Sequence, residues 1–104
     1  MSETGLNELR MIAQVAELLP LRRTPAGTPV AGCLLVHESK QSEAGLERTV
    51  AVELQAVAVG DLAMVLISGG PGANVSVTGF LAAKSLRSRA PVLHLNKIEF
   101  VEGN

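Results

Sequence analysis

The sequence predicts an all-β chain, and three observations point there. Beyond residue 28 the apolar residues recur with the spacing of strands, clusters of Gly, Pro, Ser and Thr separate the apolar runs, and only two aromatic residues, Phe80 and Phe100, are available to any core. Alternation with a period of two places one set of side chains inside and the other in solvent, which is the pattern of a half-buried strand. With 104 residues and 47% apolar content, the chain is expected to form one domain over residues 1–104 with a single modest core.

The first element fits two patterns. Leu6, Leu9, Ala13, Ala16 and Leu19 have helical spacing, and Leu6–Leu19 is rich in good helix formers. Leu9, Met11, Ala13 and Val15 also alternate with Glu8, Arg10 and Gln14, Ile12 being the exception. Local pattern alone favours the helix. Arg22-Arg23-Thr24-Pro25-Ala26-Gly27-Thr28-Pro29 follows as a connection of turn formers carrying two cations. In Val30–Val36, Val30, Gly32, Leu34 and Val36 share one face, while Ala31, Cys33 and Leu35 share the other, so both faces are apolar, as in a deeply placed strand.

Ser39–Leu46 is polar, contains Gly45 and predicts a loop. Thr49–Val59 alternates more clearly, with Val50, Val52 and Leu54 against Thr49, Ala51, Glu53 and Gln55. Ser68-Gly69-Gly70-Pro71-Gly72 predicts a flexible connection. Val75 and Val77 alternate with Asn74, Ser76 and Thr78 until Gly79, where a bend or bulge is expected. Leu93 and Leu95 lie on one parity, Ile98 and Phe100 on the other, so a second bulge is expected near Asn96-Lys97. The expected core draws on Leu34, Val36, Val50, Val52, Val75, Val77, Leu93 and Ile98.

Charge is distributed unevenly. Between Leu62 and Ile98 there is no Asp or Glu, and Lys84, Arg87, Arg89 and Lys97 give that stretch +4, leaving −5 elsewhere for a net charge of −1. Three of these cations lie in Lys84-Ser85-Leu86-Arg87-Ser88-Arg89-Ala90-Pro91, between the apolar runs Val75–Ala83 and Val92–Leu95. A basic loop in a near-neutral protein points to a localised anion site, and a polyanionic strand is the obvious occupant.

Catalytic and metal signals are weak. Cys33 and His37 would share a strand face, and His94 could join them, but no second cysteine or acidic pair completes a zinc set. Thr78–Ser85 ends in Lys-Ser, yet Thr78 and Ala83 replace both phosphate-loop glycines; Gly70 and Gly72 start a dinucleotide spacing that Val75 breaks. Glu38, Glu43 and Glu47 read as solvated charges. No enzyme activity and no cofactor are expected. The start Met1-Ser2-Glu3-Thr4-Gly5 lacks the features of a secretory signal, no apolar run reaches the ~20 residues of a membrane helix, and Cys33 is alone, so a cytoplasmic protein without a membrane partner is expected.

Five stretches, in order, resemble primosomal replication protein N, the PriB family of bacterial replication restart: Pro20–Pro29, Leu35-Val36-His37-Glu38, Ser42–Arg48, Val77-Thr78-Gly79-Phe80, and Val92-Leu93-His94-Leu95 running on to Ile98-Glu99. The resemblance covers about residues 7–102. It implies a five-stranded OB-fold barrel (about residues 6–102) forming a homodimer, in which Leu6–Leu19 is the long first strand rather than a helix. It also implies binding to single-stranded DNA and contacts with the PriA helicase and DnaT.

Under that resemblance Arg22–Pro29 joins strands 1 and 2 and Lys84–Pro91 joins strands 4 and 5, the loops that flank the binding face of many OB-folds. Arg22, Arg23, Lys84, Arg87 and Arg89 are the expected DNA contacts. Where the family pattern places a tryptophan, a phenylalanine and an arginine, this chain has Ala51, Leu46 and Glu38. Binding is therefore expected to lean on phosphate contacts and to be weak, salt-dependent and indifferent to sequence. The alternative is a mainly protein-docking OB module whose same loops hold a helicase or an acidic partner.

Overall fold

Five long strands and one helix make up the computed structural model, which describes residues 3–102. After a single 3-10 turn at Glu3–Gly5 come β1 (Leu9–Leu18), a two-residue stub β2 (Arg22–Arg23), β3 (Pro29–Glu43), β4 (Leu46–Val59), α1 (Asp61–Gly69), β5 (Asn74–Ala83) and β6 (Pro91–Phe100). The strands pair in the order β1-β5-β6-β4-β3-β2, and β1 also pairs with β3. That last pairing closes the five long strands into a barrel, the OB-fold.

The helical look of the first segment has a structural source. β1 is a strand, paired with β5 over Leu9–Gln14 and with β3 over Gln14–Leu18, and its register slips between Val15 and Glu17. Ala16 is the extra residue of a bulge, which flips the parity after Val15. Ala13 and Val15 are buried and Leu18 packs on the same core, while Ile12 faces solvent at 62% exposure. A kinked strand thus mimics helical spacing, and two ladders override local propensity.

In β3 the buried face is the reverse of the expected one. Ala31, Cys33 and Leu35 are buried, whereas Leu34 and Val36 lie on the outer face, half-buried. With both faces apolar, pattern could not choose between them; closure against β1 and the helix decides. β4 has the expected parity, but its buried members are Ala56 and Ala58, while Val52 is exposed and Val50 half-buried. The reason is the hairpin itself. Ser39–Leu46 is no loop: β3 and β4 stay paired from Val30↔Val59 out to Glu43↔Leu46, leaving only Ala44 and Gly45 as the turn. Both have positive φ (54° and 79°), as a two-residue hairpin turn that matches strand twist requires. β1 accompanies β3 only to Val36 and β6 reaches β4 only at Ala56 and Val57. The outer part of the hairpin therefore projects as a two-stranded ribbon, and Val50 and Val52 ride on it beyond the core.

Both bulge expectations near the C-terminus hold as one irregularity. Thr78 pairs with Lys97 and Gly79 with Leu95, so Asn96 is the extra residue. A Cβ on Gly79 would collide with the His94 carbonyl oxygen, so glycine lets the strands approach there. The shift turns Leu93 and Leu95, and then Ile98, toward the core.

Local pattern predicts no helix between the third and fourth long strands. α1 occupies that connection and seals one end of the barrel with Ala63 and Leu66, both fully buried. Leu35, Leu66, Leu93, Val15, Val75 and Val77 form the centre of the core.

Candidate nucleic-acid interface

The outer face of β3 and β4 forms the floor of a trough of about 760 Å³. Gly32 and Leu34 from β3 lie beside their partners Val57 and Gln55 from β4, with Val59 beyond. One wall comes from Leu19, Pro20, Arg22 and Thr24, in the connection between β1 and β3. The other comes from Lys84, Val92 and His94, in β6 and the loop before it. Leu19 lies directly over Gly32, where a Cβ would stand 3.0 Å from its Cδ1. Apart from the Gln55 amide the floor is thus aliphatic, with a cation on each side and one carboxylate, Glu17, at the margin.

Each wall is held by backbone geometry. Arg22 and Arg23 pair with Val30 and Pro29, and the turn closes through Thr24 N–H to the Thr28 carbonyl (2.9 Å) and Gly27 N–H to the Thr24 carbonyl (2.8 Å). Arg23 donates from Nη1 to the Gly27 carbonyl (3.1 Å), bracing its own loop. Across the trough, Lys84 N–H donates to the Ala90 carbonyl (2.9 Å), and Ser85 Oγ accepts from the N–H groups of Arg87 (3.2 Å) and Ser88 (3.0 Å). The structure thus brings Arg22 and Lys84 to one trough. Arg23, Arg87 and Arg89 stand exposed on the same two loops without lining it.

A second concavity of about 510 Å³ lies beside the ribbon, and it is chemically different. Glu38 and Glu53 line it, and Ala51 lies directly across from Glu38. Two carboxylates without a lining Lys or Arg make it unsuited to a polyanion. His37 sits here with both ring nitrogens engaged, Nδ1 2.6 Å from the Ile12 carbonyl oxygen and Nε2 2.7 Å from Ser39 Oγ. The conceivable metal set does not assemble: Cys33 faces the core, His94 faces the trough, and no cluster of three ligands occurs among the described residues. Burial pushes the Cys33 thiol up to about 11, which keeps it protonated and unreactive at neutral pH.

The aliphatic floor was missed in the sequence, although a signal was present. Val57 and Val59 share the parity of Gln55, opposite the buried Ala56 and Ala58, so that end of β4 is apolar on both faces. An outward apolar pair next to two basic loops is the mark of a surface that meets something.

Known proteins share this fold. Residues 7–97 match the family described as another single-strand binding protein family. The chain is 41% identical over 99 residues to replication restart protein PriB of Bordetella pertussis, covering 95% of this chain and 92% of that one. It is 40% identical over 100 residues to the protein of the same name from Neisseria meningitidis serogroup B, covering 95% and 99%. The chain belongs to the PriB family. The solved PriB of Ralstonia solanacearum superposes with a TM-score of 0.86 at 34% identity, covering 94% of this chain and 100% of that one. The single-stranded DNA binding protein of Thermus aquaticus, at 23% identity and a TM-score of 0.73, shares the fold; the match covers 94% of this chain and 51% of that one. Membership places the chain among the replication restart proteins built on the single-strand-binding barrel.

Proposed function

We propose that this PriB-family protein serves replication restart by binding single-stranded DNA across the β3–β4 outer face, between the Arg22–Pro29 and Lys84–Ala90 loops. The observation that carries the reading is the convergence of Arg22 and Lys84 on the two sides of one aliphatic trough. Phosphates track the cations of both loops, Arg23, Arg87 and Arg89 included, and release counterions as they bind. Leu19, Leu34, Val57 and Val59 give sugars and bases an apolar bed. The binding is indifferent to sequence because such a bed offers no fixed donor–acceptor pattern.

The working unit in this reading is a homodimer. From Leu9 to Ala13, the β1 edge opposite β5 carries no strand partner among the described residues, and Ile12 is exposed beside it. A second copy of the same edge, related by a two-fold axis, covers both. The dimer assembles with the PriA helicase and DnaT in the cytoplasm, acting as a non-catalytic accessory. No described helix is long and apolar enough to cross a membrane.

The test is a salt titration of oligothymidylate binding. The Arg22→Ala, Lys84→Ala double variant should flatten the log–log salt slope by about 1.4, at about 0.7 per lost phosphate contact. An unchanged slope places DNA elsewhere and favours the protein-docking alternative, in which these loops grip the helicase. Sedimentation of a monomer at micromolar concentration would refute the dimer.

A further inference from the structure

We infer that Phe80 and His94 form a base-stacking platform beside the trough, which takes unpaired bases of the bound strand. The inference rests on the outer-face reading above and adds a contact of different physical kind. Phe80 of β5 is paired with His94 of β6, and their rings lie 5.1 Å apart between centroids and within 7° of parallel. His94 lines the trough and is paired in turn with Val57 of β4, which is opposite Gly32 of β3. Phe80, His94, Val57 and Gly32 therefore make one row across four strands, and the floor of the trough continues without a break to the aromatic ring.

Three further facts favour a base as the occupant. Phe80 is 42% exposed, so it is open to a ligand on the sheet surface. Stacking on His94 fixes that ring in advance, so little side-chain freedom remains to be lost when a base lies on it. Lys84 stands only four residues farther along the chain and lines the same trough, within reach of the phosphate next to a stacked base. The chain's other aromatic ring, Phe100, is at the far end of the sheet: it is opposite Val75 and lies against Gly69 of α1. With no Trp or Tyr in the sequence, Phe80 is the aromatic side chain on the trough's side of the barrel. A base offers a flat π surface whatever its identity, so such a platform adds affinity without adding sequence preference.

The experiment compares oligothymidylate with the same strand carrying abasic sites, for wild type, Phe80→Leu, Phe80→Tyr and the Arg22→Ala, Lys84→Ala double variant. Phe80→Leu should weaken oligothymidylate binding about fivefold or more, leave the salt slope unchanged, and bind the abasic strand as wild type does. Phe80→Tyr should restore the affinity. If Phe80→Leu folds and binds oligothymidylate like wild type, or loses equally on the abasic strand, the platform is wrong and the pair is only a cross-strand packing contact. If Phe80→Leu does not fold, photo-crosslinking of wild type to 5-iodouracil-substituted strands decides: adducts on Phe80 or His94 support the platform, and adducts confined to other positions overturn it. A failure confined to the double variant strikes the outer-face reading instead, so the two outcomes remain distinct.

Discussion

The projecting ribbon and the loop-flanked trough are both exposed and both carry cations, yet they are different kinds of surface. On the ribbon each cation is answered: Lys40 Nζ lies 3.7 Å from Glu47 Oε1, and Arg48 Nη1 lies 2.8 Å from Glu43 Oε1. On the two loops, Arg22, Arg23, Lys84, Arg87 and Arg89 are in no ion pair among the described residues; Lys97, the remaining cation of the acid-free stretch, is paired with Glu99 at 3.6 Å. Cross-strand neighbours on a ribbon meet by register, so its charges cancel locally. Arg22 and Arg23 meet only the uncharged Val30 and Pro29 across the strands, and Lys84, Arg87 and Arg89 lie in an acid-free stretch, so the field of these cations reaches outward. The pairing of their cations, more than the number of them, separates the ribbon from the two loops on which the proposed DNA track rests.

The contrast can be broken most severely at glycine. Gly79→Ala should destabilise the protein by about 3 kcal/mol, because the new methyl meets the His94 backbone, and binding should fall with it as the Phe80–His94 row is displaced. Gly45→Ala at the ribbon tip has open space around it but keeps a positive φ of 79°, so it should cost only about 1 kcal/mol. Single-strand affinity should be untouched. Thermal melts and anisotropy titrations of both variants read the two effects separately.

Buried chemistry gives a smaller effect. Below its ordinary pKa of 9.0, Cys33 is protonated whether folded or unfolded, and pH has no purchase on it. Between 9.0 and about 11 the unfolded thiol has lost its proton while the folded thiol keeps it. Stability therefore falls as pH rises through that window. Denaturant midpoints measured across it should decline for wild type more steeply than for Cys33→Ala, which has no thiol to titrate.

The ribbon's charges should matter least to DNA. Lys40→Ala with Arg48→Ala removes as many cations as the trough double variant, yet the salt slope should stay as in wild type. Stability should move by no more than about 1 kcal/mol, because both pairs are exposed. A flattened slope would show that the DNA track climbs the ribbon. Ala44→Asn should raise stability by about 0.5 kcal/mol, since Asn adopts positive φ more readily than Ala and suits the turn with Gly45. A lower melting temperature for that variant would contradict the turn geometry.

Much of this protein was legible in the sequence. The alternation of Thr49–Val59 and of Val75 and Val77, the bulge at Gly79 and Asn96, and the basic loop at Lys84–Pro91 all follow from local residue pattern, because a strand's two faces see different solvents. The ordered resemblance supplied the barrel and turned Leu6–Leu19 from an apparent helix into a strand. Tertiary structure alone decided the rest. Which face of Val30–Val36 is buried depends on closure against β1, since both faces are apolar. Whether Ser39–Leu46 loops or extends depends on the ladder that Glu43 and Leu46 complete. That Arg22 and Lys84, far apart in the chain, stand on either side of one trough, and that Phe80 lies flat on His94 next to it, follows from the pairing of β6 with both β4 and β5. Local pattern records how one segment divides its residues between core and water. A binding surface is made where different segments meet, and that is settled only when the barrel closes.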